Sequence, residues 1–463
     1  MKLTLLTLII LVFCAGTLFA GGFALSGIGS KAISLGGAFR GMADDGTAMY
    51  WNPAGLGFAE RSYITLAGAG IMPASTFQSR DILPGISDEE FEADKKLWMF
   101  PNLYAVKGGD CKLKFGLGAY VPYGLGATWD IYDYYSIPGM NFNVVTPDGP
   151  VSTALVLPTG FPEKEMMSSI GIVDVHPTVA YKLNDNWSIG AGLSVYYGMI
   201  EIDKVKPHAA FGWALPTTME MEGTGMGFGG NLGLLYKVSE YAQLGLSGKL
   251  PAKINMDGEA KVRVWMSNYA SYMNALANAY PNSHLYAMAM VLGDTTDISA
   301  TLNLPADIGW GINLKPKPNW SINADFSYTF WSVLDKVVIE MDPPAVVGTS
   351  TIEESEMNTV WKDAFRVSLG TQYSLPKVDL RGGFFFDQSP IPYCSLSPTW
   401  PDTNDKYSGN FGVGFHLGKW LLDLNYEHIF FTERVITTQT EDNMFGTYNT
   451  DVNAFNFGLT YTF

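Results

Sequence analysis

From about Ser62 to its end, the chain alternates hydrophobic and polar positions with a period of two. In the last segment Phe455, Phe457, Leu459, Tyr461 and Phe463 fall on one face and Asn456, Gly458, Thr460 and Thr462 on the other. That spacing predicts a strand whose two faces meet different surroundings. Trp320, Ile322, Ala324, Phe326, Tyr328 and Phe330 oppose Ser321, Asn323, Asp325 and Ser327 in the same way. Phe365, Val367 and Leu369 oppose Arg366, Ser368 and Gly370, and Leu424 with Tyr426 opposes Asp423 with Asn425. Burying Asp325 against lipid would cost kilocalories, so one face is greasy and the other wet or packed on polar material.

The connections alternate too. Short ones are predicted at Lys107–Cys111, Asn184–Asn186, Ser239–Glu240, Lys315–Asn319, Pro376–Lys377 and Gly418–Lys419. Between them lie long insertions at about Pro73–Leu97, Tyr123–Met167, Lys204–Met221, Gly258–Ile298, Asp342–Glu356, Asp387–Asp405 and Gln439–Thr450. Six short turns and seven long loops separate fourteen strands. Such asymmetry belongs to a transmembrane β-barrel, with short turns on the periplasmic side and long loops outside; a soluble β-sandwich gives no reason for it. Trp187, Trp320 and Trp420 each open a strand directly after a short turn, where an interfacial aromatic girdle would sit.

Composition agrees. Charged residues make up 16% and aromatics 14% of 463 residues, with 50 glycines, so a polar outer surface would be hard to assemble. Residues 1–20 read as a secretory signal peptide: Lys2, then the run Leu3–Phe13 broken by Thr4 and Thr7, then Ala20-Gly21-Gly22. No later stretch is long and apolar enough for a helical span. Removing Lys2 with the leader takes the net charge from −16 to −17, which argues against nucleic acid as a partner. Cys111 and Cys394 then remain, at opposite ends of the expected barrel, so no disulfide is expected.

Two regions break the strand rhythm. Residues 21–60 are Gly-rich, carry Arg40, Asp44 and Asp45, lack a sustained period and end in Trp51-Asn52-Pro53-Ala54-Gly55; we read them as a plug around which the strands close. In Ser267–Leu292, Tyr269, Met273, Leu276 and Tyr280 recur at helical spacing before Pro281. That segment and Ala127–Val145 belong to long outer loops. Their apolar side chains either pack the loops on each other or form a groove that captures hydrophobic molecules.

Four stretches carry a family resemblance: GGFAL with MADDGTAMYWNPAGL, LNLPADIGWGINL with WSINADFSYTFWS, WKDAFRVSLGTQY, and RGGFFFDQSPIP. In sequence, order and spacing they resemble the FadL-type outer-membrane transporters of long-chain fatty acids and aromatic hydrocarbons, the group that includes OMPP1 and TodX. The terminal Phe463 is similar to that of proteins inserted by the outer-membrane assembly machinery. The resemblance implies a monomeric barrel closed by an N-terminal hatch carrying Asn52, Pro53 and Ala54. It also implies capture of substrate between two outer loops, transfer to a pocket near the mature N-terminus and Phe23, and sideways exit beside an inward-kinked third strand ending near Tyr123-Gly124.

The expected fold is therefore an all-β transmembrane protein: a 14-stranded antiparallel outer-membrane β-barrel over residues 61–463, plugged by the hatch of residues 21–60, with short helices in long extracellular loops. The expected function is passive uptake of hydrophobic compounds, long-chain fatty acids first and monoaromatic hydrocarbons second. A structural or adhesive surface barrel is the rival from a different class, and a barrel-embedded hydrolase the third. Expected partners are hydrophobic small molecules, outer-membrane lipid and lipopolysaccharide. Arg366 and Arg381 face inward by alternation; either ion pairs hold the plug, with Asp44 and Asp45 in it, or one arginine meets a substrate carboxylate.

Catalytic and cofactor chemistry have no candidates. Gly225-x-Gly227-x-x-Gly230 matches a dinucleotide fingerprint, but no helix follows. His176, His208, His284, His416 and His428 show no metal-ligand spacing, and neither Cys-x-x-Cys nor Gly-x-Ser-x-Gly occurs. The acidic run Asp88-Glu89-Glu90 with Glu92 and Asp94 reads as a solvated outer loop.

Overall fold

The computed structural model describes residues 22–79, 90–131, 141–146, 149–154, 162, 164–210, 213–264, 293–347, 350–400, 402–438, 440 and 442–463. Fourteen antiparallel strands form one closed wall. The first six are β1 (Tyr63–Ser79), β2 (Glu90–Glu92 and Trp98–Lys107), β3 (Leu113–Trp129), β4 (Met166–Lys182), β5 (Trp187–Ala210) and β6 (Trp213–Ser239). Four strands in two pieces follow: β7 (Ala242–Lys249, Ala252–Val264), β8 (Gly293–Leu304, Asp307–Lys317), β9 (Trp320–Thr329, Lys336–Val347) and β10 (Ser350–Asn358, Ala364–Ser374). The last four are β11 (Val378–Asp387), β12 (Lys406–Leu417), β13 (Trp420–Phe431, with Arg434–Ile436) and β14 (Gly446–Thr462). β14 pairs with β1 from Tyr63↔Thr462 to Ser79↔Gly446, which closes the cylinder.

Alternation places the faces as expected. On β14, Phe455, Phe457 and Leu459 are 52%, 40% and 37% exposed, whereas Asn456 is 5% exposed. On β9, Trp320 and Ile322 point out, and Ser321, Asn323, Asp325 and Ser327 are buried inward. At the short-turn end Trp187 stacks on Tyr236 at 4.0 Å and Trp420 meets Tyr461 at 4.7 Å, forming part of an aromatic rim. No helix among the described residues is long and apolar enough to cross a membrane; strands do the crossing.

The long insertions are not all loops. Lys204–Met221 was expected as one, yet β5 and β6 run on as a hairpin from Asp203↔Glu220 to Ala210↔Trp213. Likewise β7 and β8 extend to Val264 and back from Gly293. In these extensions the faces exchange chemistry. Near the short turns of β8, Ile308, Trp310 and Leu314 face out; beyond the break at Pro305, Ile298, Ala300 and Leu302 face in, and Asp297, Ser299 and Thr301 face out. β7 switches at Leu250-Pro251, with Ile254, Met256, Ala260 and Val262 inward and Lys253, Asn255, Asp257 and Glu259 outward. The exchange marks where the outer surroundings change from hydrocarbon to water, because only water repays exposed charge.

Apart from an isolated antiparallel bridge between Ala24 and Tyr123, the N-terminal residues Gly22–Phe58 do not join the wall. They form two short helices, α1 (Ser30–Ser34) and α2 (Ala48–Trp51), and a 3-10 turn Pro53–Phe58, nearly all buried. Inward glycines make room for them. A side chain at Gly190 on β5 would collide with Pro53, and one at Gly383 on β11 with Leu35 and Gly36. The leader and the expected helix with Tyr269, Met273, Leu276 and Tyr280 lie outside the described residues. Cys111 and Cys394 are free and exposed.

Gly190→Leu is therefore expected to abolish the heat-modifiable, folded band on a denaturing gel. Gly409→Leu, which meets nothing within 4 Å and faces outward, should leave the band unchanged.

Candidate functional site

The extended, face-exchanged strands build an apolar cup inside the outer half of the cylinder. Ile200 and Ile202 of β5, Met221 of β6, Met256 of β7, Ile298 and Leu302 of β8, Ile339 of β9 and Met357 of β10 line it, with Phe23 and Trp400. The open space within it is about 70 Å³, so the lining side chains nearly fill it. Glu222 and Asp257 also border it, but both are exposed on strands whose neighbouring residues Met221 and Met256 point inward. Burying a charge here would be costly, whereas an alkyl or aryl group gains about 0.8 kcal/mol per methylene removed from water.

Phe23 closes the inner end of the cup. It is 1% exposed, with Trp331, Tyr123 and Trp361 rings 5.1, 5.5 and 5.8 Å away. The following residues, Ala24, Leu25 and Ser26, border two further cavities. One, toward β1, β2 and β14, is walled by Ile71, Trp98, Phe100 and Val452. The other is polar, bordered by Arg40, Lys249, Asp307 and Arg366. A strip of four residues thus separates three cavities.

The same strip is bonded to the wall where the wall is incomplete. β2 pairs with β3 only from Leu103↔Ala119 to Lys107↔Phe115, and the β3–β4 register slips between Tyr120 and Tyr123. Beyond that point the edge of β3 has lost its neighbour. Residues 23–25 take its place from inside: Leu25 N–H donates to Pro122 O at 3.1 Å and Gly124 N–H to Phe23 O at 3.3 Å. The Asn102 side chain accepts from Val121 N–H at 3.4 Å. β3 and β2 meet again where Asp94 N–H donates to Thr128 O at 2.9 Å.

The rest of the segment is anchored by charge and amide groups of the wall. Asp325 on β9 accepts from Phe39 and Arg40 N–H at 2.9 and 2.6 Å. The Arg40 guanidinium pairs with Asp307 at 2.7 Å and Ser247 at 3.1 Å. Asn52 is fully buried; its amide donates to Arg40 O and Leu234 O at 3.0 and 3.1 Å, and its carbonyl accepts from Ala54 N–H. Ser188 donates to Ala54 O, Ser247 to Trp51 O and Asn231 to Met49 O, each at 2.7 Å. His176 supports Asn231 from behind at 3.2 Å, held in turn by Ser194 at 2.9 Å.

The structure separates the residues singled out in sequence. Phe23 lies at the cup. Arg366 does not: its guanidinium donates to Ser26 O at 2.5 Å and Gly36 O at 3.3 Å and covers the Phe385 ring, which makes it a clamp on the N-terminal segment. Arg381 pairs with Asp379 at 3.0 Å and with Asp423, all on the wall and away from the cup. Asp44 pairs with Lys31 at 2.7 Å, not with either arginine. Asp45, in the coil between α1 and α2, accepts from Thr47 N–H at 2.8 Å; burial nevertheless pushes its carboxyl up to about 6, against the pull of Lys31. The cup residues were missed because their strands read as loops, although acids alternating with Ile and Met were there to be seen. Trp98 and Phe100, beside the incomplete seam, gave no signal in the sequence.

Residues 163–463 match the family model described as outer membrane protein transport protein, OMPP1/FadL/TodX. A long-chain fatty acid transport protein of Escherichia coli is 26% identical over 405 residues, covering 82% of this chain and 79% of that protein. Among solved structures, a Pseudomonas aeruginosa FadL homologue superposes with a TM-score of 0.71 at 17% identity, covering 95% of this chain and 99% of the other. The Pseudomonas putida toluene transporter TodX superposes with a TM-score of 0.68 at 15% identity, covering 95% and 99%.

Asp325→Ala orphans two buried N–H donors at about 1–3 kcal/mol each. It is expected to raise the leak of small polar solutes in liposome swelling while the barrel stays folded. Because the Asp45 pKa is raised on docking, its contribution is complete below its ordinary value of 3.8 and lost as pH rises through about 6. The leak should grow between about pH 4 and pH 6.5 and level off above, and Asp45→Asn should flatten that rise.

Proposed function

The chain belongs to the outer membrane transport protein family of OMPP1, FadL and TodX, and from that premise we propose that it takes up long-chain fatty acids by way of the apolar cup. Members of this family are transport channels rather than enzymes, and the closed barrel is that of a bacterial outer-membrane protein. Its cargo class is hydrophobic small molecules. The observation that carries the finer reading is the position of residues 23–26. Phe23 borders the cup, and Ala24, Leu25 and Ser26 border the cavity beside the incomplete β2–β3 seam.

In this reading an acyl chain enters the cup and displaces the Phe23 ring. The backbone of residues 23–25 then leaves the β3 edge, and the cup and the seam cavity become one mostly apolar path to the bilayer, passing Asp402, Lys406 and Glu427 at its edge. Residues 30–58 act as a hatch that stays seated, because its anchors are charged and buried. The route avoids water, which would withdraw about 0.8 kcal/mol for every methylene re-exposed. In this reading Lys204, on β5 at the rim of the cup with its ammonium 3.3 Å from the Met357 sulfur, exchanges its present contacts for the cargo carboxylate. A lumen complete within one chain supports a monomer.

A second reading, uptake of neutral monoaromatic hydrocarbons, is favoured by the apolar lining of the cup itself. Brominated oleate should quench the fluorescence of the tryptophans around Phe23, and Ile202→Glu should abolish that quenching. Lys204→Ala should weaken oleate uptake several-fold and leave toluene uptake unchanged. Equal effects on both would favour the arene, and an absence of quenching together with uptake at the level of vector-only cells would overturn transport through the cup.

A further inference from the structure

The seam between β2 and β3 is a bounded window. It is pinned below by the Leu103↔Ala119 pair and above by the hydrogen bond from Asp94 to Thr128, and between these points β2 and β3 exchange no ladder bonds. On the lumen side lies the cavity bordered by Leu25, Ile71 and Val452. On the other side Leu97, Met99 and Leu103 are exposed, with Met99 at 62%. Asp402, Lys406 and Glu427 border the same cavity, so an opening here would join a mostly apolar space with a charged edge to hydrocarbon.

Two rings fill it. Trp98 and Phe100 alternate inward on β2, on the same face as the buried Asn102 and Tyr104. Opposite them β3 carries Gly126 and Gly124. A Cβ at Gly124 would stand 2.8 Å from the Phe100 ring, and one at Gly126 would collide with the Trp98 indole. The rings therefore reach over bare backbone, each against its own glycine. The Lys96 ammonium, 4.2 Å from the Trp98 centroid, holds that indole from the side of the unpaired coil. Residues 93–97 are coil, so the piece of β2 that carries the rings is paired on one side only, to β1 from Trp98↔Ile71.

We propose that Trp98 and Phe100 are the shutter of this window, seated on Gly126 and Gly124, and that their side-chain swing sets the rate and the size limit of cargo passing from lumen to bilayer. This rests on the sideways route argued above. Rotation of two side chains leaves every ladder bond of the wall in place, so opening needs no strand separation.

The test uses the full-length protein with Cys111→Ser and Cys394→Ser, expressed in cells lacking their own long-chain fatty acid transport protein, with radiolabelled oleate and a bulkier polycyclic fatty acid as probes. Phe100→Cys with Gly124→Cys is bridged by a short bifunctional methanethiosulfonate reagent. Trp98→Ala with Phe100→Ala removes the shutter. Gly126→Ala lifts Trp98 off its seat while keeping the ring. Heat-modifiability confirms folding, and brominated-oleate quenching confirms that the cup still binds. The expected result is loss of uptake on bridging, recovery on reduction, and a several-fold gain for the bulkier probe in both unseated variants. Full uptake by the bridged protein would overturn the sideways route and the shutter together. Uptake blocked by the bridge but unchanged in rate and size limit by Trp98→Ala/Phe100→Ala and Gly126→Ala would overturn the shutter and leave the route standing.

Discussion

In hydrocarbon, every backbone N–H and C=O needs a partner from the protein, because no water is present to supply one and each orphan costs kilocalories. A barrel meets this demand by closing, as β14 does on β1. The sideways route proposed above requires that the same rule be broken somewhere. Here the break is confined to the stretch above the Leu103↔Ala119 pair, and the lost bonds are replaced one at a time. Phe23 O and Leu25 N–H serve Gly124 and Pro122 from the lumen, and the Asn102 carbonyl serves Val121. The N-terminal strip is thus a substitute strand as well as an obstruction.

The second constraint is that one cylinder stands in two solvents. Where lipid surrounds it, apolar side chains go out and the inside is free to be polar, so Asp325, Asn231 and Ser188 are available to hold the N-terminal segment. Where water surrounds it, charge goes out and the inside becomes apolar, so the same strands make a cup. Ile and Met dominate its lining, and unbranched Met conforms to cargo of varied shape. Anchor and cup thus follow from one alternation read in two surroundings.

Much of this was legible. Period two over Phe455–Phe463 and Trp320–Phe330 gave the wall and its orientation, and the spacing of short turns gave the strand count. The extensions were not, because their alternation carries acids outward instead of aromatics: Asn255, Asp257 and Glu259 around Met256 and Ala260 read as a hydrophilic loop when hydrocarbon is assumed outside. The roles of Arg366 and Arg381 were beyond reach for another reason. Alternation fixes which way a side chain points, but which partner it meets depends on barrel neighbours such as Asp423 and on where Ser26 and Gly36 come to rest. Inward glycines such as Gly190 and Gly383 were visible only as composition, since a missing side chain carries no periodicity.

The distribution of anchors along the N-terminal segment decides what can move. Residues 39–54 are held by the Asp325 carboxylate, the Arg40–Asp307 pair, three wall side chains (Ser188, Asn231 and Ser247) that bond their main chain, and the Asn52 amide, which donates to Leu234 O of the wall. Residues 22–26 hold the wall through the β3 edge, the Ser26–Glu427 and Arg366 contacts, and Gly22 N–H on Asp402. On the proposed route, local opening begins with residues 22–26. Phe23 belongs to both the strip and the cup: its ring borders the cup, and its carbonyl is the partner of Gly124. A ligand that takes the place of the ring works directly on the bond that completes the β3 edge. On the proposed route, occupancy of the cup is thereby coupled to release of the strip without unseating the body of the segment, which keeps polar solutes out while apolar cargo leaves.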